Sequence, residues 1–313
     1  MNTPVRLGII GLGAMGTEVL RVATAHPGFE VVAAADPRRH PAGYPQTWIG
    51  TDSGEVLRRS DAVYVATPPA FHAEFVVPAL EGGLSVLCEK PLAIDLAEGQ
   101  RMVAAAEAAA GVAAVNFALS DRHATRHLED ALLRGLIGDV LSVEIRLAFV
   151  QWPREFQAHA GWLDGRVQGG FVREVLSHFI YLTDRLLGPV QPVDLVLDHR
   201  PGDDVRSEVA AWGLLRAGGV PVQVGAVAGA AGSDSYEWII RGSKRSYLLR
   251  DWDQLFVAGG NGWEPVPLSG ARGSEETRLT LFAEAIQGRP SADLASFSAG
   301  LRVQQVVEAF HRG

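Results

Sequence analysis

The sequence predicts an α/β protein that opens with a doubly wound parallel sheet and continues into an α+β part with an open, largely antiparallel sheet. Three observations carry this. Over the first 120 residues, short apolar or β-branched runs alternate with helical patterns, the signature of strand–helix–strand units. A Gly-x-Gly-x-x-Gly loop joins the first run to the first helix. Beyond about Asp139 strand-like runs follow one another across turns, with few helices between them.

Val5–Ile10 is an unbroken apolar run, as expected of a strand buried on both faces. A helix follows to about His26 and is stopped by Pro27-Gly28. The second strand is Phe29–Ala35, ending at Asp36-Pro37, and residues 37–50 read as a Pro/Gly-rich loop. Strands are expected at Asp61–Ala66, Leu84–Cys88 and Val112–Phe117. Helices are expected at about Phe71–Glu81 and Asp95–Ala110. The second part gives strands at Val140–Val150, Pro192–Leu197, Val209–Leu215, Val220–Val227, Tyr236–Arg241 and Tyr247–Arg250. A helix at about Val172–Leu187 is closed by Gly188-Pro189. Two last helices, about Ser274–Gln287 and Ala295–His311, are expected to pack back on the first domain.

At roughly 100–200 residues per domain, a chain of 313 residues suits two, placed at 1–120 and 121–313. A composition 47% apolar and 20% charged is that of a globular protein. The net charge of −8, with no basic block, offers nothing to nucleic acid or an anionic membrane. The lone Cys88 excludes an internal disulfide and a Cys-rich metal site. No run of about 18 apolar residues suggests a membrane span, and Met1 leads directly into a strand with no signal-like segment. A soluble cytoplasmic protein is expected.

Gly11-Leu12-Gly13-Ala14-Met15-Gly16 follows a strand and opens a helix, and Asp36 lies 20 residues beyond Gly16 at the end of the next strand. That is the dinucleotide fingerprint of a Rossmann domain. Gly11 permits the turn, Gly13 admits the pyrophosphate and Gly16 lets helix and strand approach. The helix start at Ala14 and Met15 offers N–H groups to phosphate. Asp36 suits the ribose hydroxyls of NAD, although a carboxylate before Pro37 equally caps a turn. Arg38 beside it leaves NADP open. Thr67, Pro68 and His72, Glu89 and Lys90, and Asn116 all follow strand ends, so they share the edge where ligands of such sheets bind. All but two of the 28 cationic side chains are arginine. Lys244 falls in an apparent hairpin turn. Lys90 follows a buried strand, and lysine, unlike arginine, readily changes protonation state.

Gly11–Gly16, the run Ala66-Thr67-Pro68-Pro69-Ala70-Phe71-His72 and Glu89-Lys90-Pro91 together resemble the glucose–fructose oxidoreductase / inositol dehydrogenase / rhizopine-catabolism (Gfo/Idh/MocA) family. The resemblance covers most of the chain. It implies a Rossmann domain binding NAD, or NADP, through the glycine loop, Asp36, Arg38, Thr67, Pro68, His72, Glu89 and Lys90. It also implies an open sheet used for homo-oligomerisation, as a dimer or tetramer, and hydride transfer on a sugar, cyclic polyol or related carbonyl. Lys90 then lies beside nicotinamide and substrate, Trp162 contributes to the substrate site, and His178 transfers a proton. The departures lie in the second half. Glu174 stands where the family often has Asp, Leu176 where it has Gly, Leu163 where an Arg commonly follows the loop Trp, and Ala118–His123 replaces an Asn/Arg segment.

Glu174 and His178, four residues apart, share one helical face. Spacing alone equally fits a solvated face with an incidental pair. The resemblance makes His178 the acid/base, Glu174 its modulator and Lys90 the group that polarises substrate oxygen. Trp152, His159 and Trp162 line a pocket or pack a second core. His123 and His127 have metal-ligand spacing, yet Arg122 and Arg126 flank them and no third ligand is evident, so an exposed basic helix and no metal are expected. Neither a Gly-x-Ser-x-Gly nor a P-loop pattern occurs. Two rivals to the dehydrogenase are an NAD-dependent glycosidase of the same fold and a non-catalytic cofactor-binding regulator.

Overall fold

The structure, a computed structural model, describes residues 3–157, 160–260, 262–270 and 273–312. His159, one of the expected pocket residues, lies outside them. In chain order the first elements are β1 (Val5–Ile10), α1 (Ala14–Ala25), β2 (Phe29–Ala35), β3 (Trp48–Gly50), α2 (Ser53–Arg59), β4 (Ala62–Val65), α3 (His72–Glu81), β5 (Ser85–Cys88), α4 (Leu96–Ala108) and β6 (Ala113–Val115). Then come α5 (His123–Leu133), β7 (Val140–Phe149), α6 (Ser177–Leu187), β8 (Val190–Asp198), β9 (Ala210–Ala217), β10 (Val220–Ala228), β11 (Ser235–Gly242), β12 (Ser246–Arg250), β13 (Gln254–Ala258) and β14 (Glu264–Pro265). The chain ends with α7 (Glu275–Ile286), β15 (Ala295–Ser296) and α8 (Phe297–Arg312). It divides into two compact units, residues 1–121 with 273–301, and residues 122–272 with 302–313.

The first unit holds a sheet of order β15-β6-β5-β4-β1-β2-β3, parallel except for β15. From β3 to β6 this is the Rossmann order, whose direction reverses between β1 and β4. Leu7, Ile9, Val19, Leu20, Phe29 and Tyr64 are buried in its core together with Leu279 and Phe282 of α7. The expected loop over 37–50 ends early. Trp48–Gly50 pairs with Ala33–Ala35, and Gly50 accepts the Asp36 N–H at 3.0 Å. Helix α2, not expected, is started by Asp52, whose carboxylate accepts the Gly54 N–H at 2.8 Å.

The second unit holds a sheet of order β14-β13-β12-β11-β7-β10-β9-β8. Its pairs are antiparallel except β7 with β10. Helix α6 is buried from Ser177 to Asp184, as a helix packed on all sides must be. Trp238 Nε1 donates to Thr183 Oγ1 at 2.9 Å, and Arg302 grips Asp184 at 2.7 and 3.0 Å. The helix expected to start regularly at Val172 begins instead with a widened π turn, Val172–Leu176. This turn carries Arg173, whose guanidinium is held by Glu308 at 3.0 and 3.1 Å and by the carbonyls of Arg166 and Gly169. Nor is α5 an exposed helix throughout. His127 is half-buried, edge-on to Tyr247 at 5.7 Å.

His311 of α8 keeps Nε2 buried without a hydrogen-bond partner. Burial, reinforced by Arg173, His199 and Arg166, pushes its pKa down to about 3. An unfolded chain, whose histidine titrates near ~6.5, therefore takes up the proton first. Stability should fall as pH drops from that value towards 3. Urea midpoints at pH 7 and pH 5 should show this loss, and His311→Leu should reduce it.

Candidate active site

The glycine loop is shaped by close backbone approaches. Gly11 has φ +90°, and a Cβ there would lie 2.7 Å from the Ala66 carbonyl group and 2.8 Å from the Thr67 nitrogen. A Cβ on Gly16 would collide with the Gly11 carbonyl oxygen. Gly13 differs, because a Cβ there would meet nothing within 4 Å. The fold requires the outer two glycines but not the middle one, whose bareness fits a ligand approaching the backbone. Gly13 is also the N-cap of α1 and supplies no capping side chain. The N–H groups beginning at Ala14 and Met15 therefore face an end suited to anions. Close to Gly11, the buried Thr67 Oγ1 has no hydrogen-bond partner. Open cradle, uncapped helix and orphaned hydroxyl all fit a dinucleotide.

Asp36 does more than one thing. Its Oδ2 accepts the Leu12 N–H at 2.8 Å, tying the glycine loop to the end of β2. Its Oδ1 accepts the N–H groups of Arg38 and Arg39 at 2.8 and 2.9 Å. The turn-capping role is thus real. A carboxylate offers about four acceptor positions, so it still has room for a ribose hydroxyl. Arg38 and Arg39 are exposed.

The ends of β4, β5 and β6 are tied in series, with Glu89 N–H donating to Val65 O at 2.9 Å and Asn116 N–H to Cys88 O at 2.8 Å. His72 is fully buried, its Nδ1 3.1 Å from Leu92 O and its Nε2 3.0 Å from Thr67 O, and burial holds its pKa below the usual histidine value. It fastens the loop after β4 to the loop after Lys90. Glu89 is buried too. Its Oε1 accepts from Tyr64 Oη and from Asn116 Nδ2 (2.8 Å), and its Oε2 from the Lys90 N–H at 3.2 Å. Burial raises the Glu89 carboxyl pKa, and Glu275 of α7 raises it further. Arg278 completes the network, donating to Asn116 Oδ1 at 2.7 Å, to Asp121 at 3.0 Å and to Glu275. Lys90 is half-buried at the rim of this group.

In the second unit, His178 is buried and packs edge-on against Trp252 at 5.2 Å. Glu174 Oε1 accepts from Gln157 Nε2 at 3.1 Å. Trp162, half-buried, lies in a short 3₁₀ turn whose carbonyls at Trp162 and Leu163 approach Gly169 too closely for any Cβ. Gly170, at φ +96°, faces the Glu208 carboxylate, which accepts the Val172 N–H at 2.8 Å. Burial raises the Glu208 carboxyl pKa. Trp152 belongs to an aromatic core with Phe149 and Phe171, at 5.2 and 5.9 Å. Among the described residues, no group of three or more His, Cys, Asp or Glu side chains is arranged to hold a metal ion.

The sequence model of the "Oxidoreductase family, NAD-binding Rossmann fold" matches residues 5–117, and that of the "Oxidoreductase family, C-terminal alpha/beta domain" matches residues 129–312. The chain belongs to the Gfo/Idh/MocA family. Among its relatives, the 1,5-anhydro-D-fructose reductase of Ensifer adhaerens is 28% identical over 309 residues, 92% of this chain and 90% of that protein. A levoglucosan dehydrogenase solved with NADH and L-sorbose superposes with a TM-score of 0.86 at 22% identity, covering 99% of this chain and 96% of that one. A 3-ketoreductase from Actinomadura kijaniata, solved with NADP and TDP-benzene, superposes with a TM-score of 0.83 at 24% identity, covering 99% and 98%. Family members thus appear with either nicotinamide cofactor.

Within the first unit, the structure gathers the glycine loop, Asp36, Thr67, Pro68, Glu89 and Lys90 at the carboxyl ends of the strands. Sequence reading missed Tyr64, Glu275 and Arg278 there, and Glu208 and Trp252 in the second unit. A polar residue inside an apolar strand, as at Tyr64, was the one available signal. Gly13 gives a direct test. Gly13→Ala should fold with a melting temperature lowered only by the small cost of alanine at an N-cap, whereas Gly16→Ala should lower it much further. Overpacking against a bound ligand costs about 1–3 kcal/mol, so Gly13→Ala should bind NAD roughly 5- to 150-fold more weakly by calorimetry.

Proposed function

We propose that this protein is an NAD(P)-dependent oxidoreductase that interconverts a CH–OH group and the corresponding carbonyl on a sugar, cyclic polyol or related small molecule. The observation that carries this reading is the juxtaposition, on one sheet edge, of an open dinucleotide cradle at Gly13 with Lys90 at the rim of a buried acidic network. The sugar-directed names of its relatives supply the substrate class. The glycine loop, the start of α1, Asp36 and Thr67 are the proposed holders of the dinucleotide, with Pro68 and Arg38 beside them. When bound, the nicotinamide supplies or accepts the hydride.

The chain's own residues do the rest. Lys90 donates a hydrogen bond to the substrate oxygen and polarises it. Its main chain is fixed by the Glu89 carboxyl, and His72 fastens the next loop. His178 takes the hydroxyl proton in oxidation and returns it in reduction. Glu174, one turn earlier, tunes His178, and Trp162 contributes to the substrate site. Asp36 favours NAD, because a 2′-phosphate would meet its charge. A homo-oligomer through the second sheet also belongs to this reading, supported by the exposed Val193, Val196, Trp212 and Leu214 of β8 and β9. So does a cytoplasmic location, where a diffusible nicotinamide cofactor is at hand.

A coupled screen of sugar and inositol ketones and alcohols with both cofactors tests the activity. Lys90→Arg should keep NAD affinity and lose most turnover, because the planar guanidinium neither fits the ammonium's place nor readily gives up a proton. His178→Ala should lower turnover by about 10²–10⁴-fold, the span of a general acid/base. Asp36→Ala should narrow the preference for NAD over NADP, measured as the ratio of dissociation constants. Tightly retained cofactor with no net turnover would favour the glycosidase or the regulator instead.

A further inference from the structure

The hairpin joining β12 to β13 carries a strained residue that no part of the proposed chemistry has yet used. Arg250 pairs with Gln254, leaving Asp251, Trp252 and Asp253 as the loop. Asp251 has φ +48° and Trp252 φ +74°, the only non-glycine residues with positive φ among those described. For a side chain as bulky as tryptophan this conformation is a genuine outlier, and such strain persists only where the surroundings fix it. Here they do so from both sides. The Asp251 N–H donates to Tyr236 O of β11 at 2.9 Å, and Asp253 lies 3.7 Å from Arg122.

This backbone directs the half-buried indole onto three rings. Trp252 lies 5.2 Å from Phe179, 5.4 Å from Tyr236 and 5.2 Å from His178, the last at 84° in an edge-to-face arrangement. The outer torsion of a histidine side chain is broad, so its ring plane is set by what packs against it. An edge-to-face aromatic contact has a definite preferred geometry. We propose that Trp252 is the positioning residue for His178, with the strained turn retained because it holds the indole at the angle that fixes the imidazole plane. This rests on the reading of His178 as the proton-transfer group.

The test uses the full chain and three variants. Trp252→Asn keeps a residue that tolerates positive φ but removes the ring, Trp252→Gly relieves the strain as well, and Trp252→Phe keeps a ring. The first readout needs no substrate. In the unaltered protein, histidine-selective spectra should show one sharp set of His178 ring resonances, with a carbon-bound ring proton displaced by the indole ring current. Trp252→Asn and Trp252→Gly should abolish the displacement and broaden or split the His178 ring signals as the imidazole samples more than one plane, and Trp252→Phe should retain part of both features. The second readout is turnover on the best sugar of the screen. For the Asn and Gly variants kcat should fall about 10- to 100-fold, as expected of a misaligned catalytic group, with KM and NAD affinity little changed and partial rescue by Phe. Unchanged His178 spectra, or full kcat in Trp252→Asn beside a crippled His178→Ala, would overturn the proposal while leaving His178 in its role. Full turnover in His178→Ala would remove that role and the proposal with it.

Discussion

One guanidinium holds the acidic edge of the first sheet together. Glu89 and Glu275 both set a carboxyl group on the Asn116 amide, Asp121 lies on the other side of Arg278, and the Arg278 guanidinium ties Asn116, Asp121 and Glu275 together. Burying such a set is tolerable only while charge and hydrogen bonds are satisfied together. The guanidinium fork meets that demand by reaching two carboxylates and one amide oxygen at once. Asn116 then has both hands occupied, its amide nitrogen on Glu89 and its oxygen on Arg278. The Glu89 carboxyl reaches the Lys90 N–H from the far end of this chain of contacts. The position of the Lys90 turn is therefore decided partly on a helix nearly two hundred residues later.

What the sequence revealed and what it hid follow from the range of the interactions involved. The glycine loop, β1 and β2 were legible because their causes are local: an apolar run, a helix start and glycines where backbones touch. The switch to an antiparallel second sheet was legible from turn spacing. Short elements with mixed composition were not, so α2 and β3 were passed over between a Pro/Gly-rich stretch and a strand. Nor was the π turn at Val172, since it accompanies Arg173 reaching Glu308 across 135 positions. Asp36 was read correctly as a strand-end acid. Yet the turn-capping and ligand-binding readings turned out to be compatible, because one carboxylate can accept from several donors. His72, another motif residue at that edge, is buried with both ring nitrogens against backbone carbonyls, a tie between two loops that its place in the sequence does not announce.

The imbalance between arginine and lysine acquires a physical sense in three dimensions. Arg173 and Arg302 each grip one distant carboxylate of their own unit through two nitrogens, and Arg278 reaches Asp121, Glu275 and the Asn116 amide oxygen with one nitrogen each. A compact ammonium could not span these. Lys244 serves at an exposed turn, where its Nζ donates to Gly135 O at 3.4 Å. Cys88, buried beneath the Glu89-Lys90 turn, has its thiol pKa pushed well up by burial, so it stays protonated and inert.

The division of the chain has a consequence for its modularity. In connectivity, residues 122–272 are spliced into the first unit between β6 and α7. A fragment cut at Asp121 would contain every parallel strand of the first sheet and the whole glycine loop, and would look self-sufficient on a topology diagram. It would nevertheless strip Asp121 and Asn116 of Arg278, and uncover the apolar surface that Leu279 and Phe282 close. A transplantable nucleotide-binding module would have to rejoin residues 1–121 to 273–301 through a short artificial bridge, reproducing by engineering the continuity that the inserted segment interrupts.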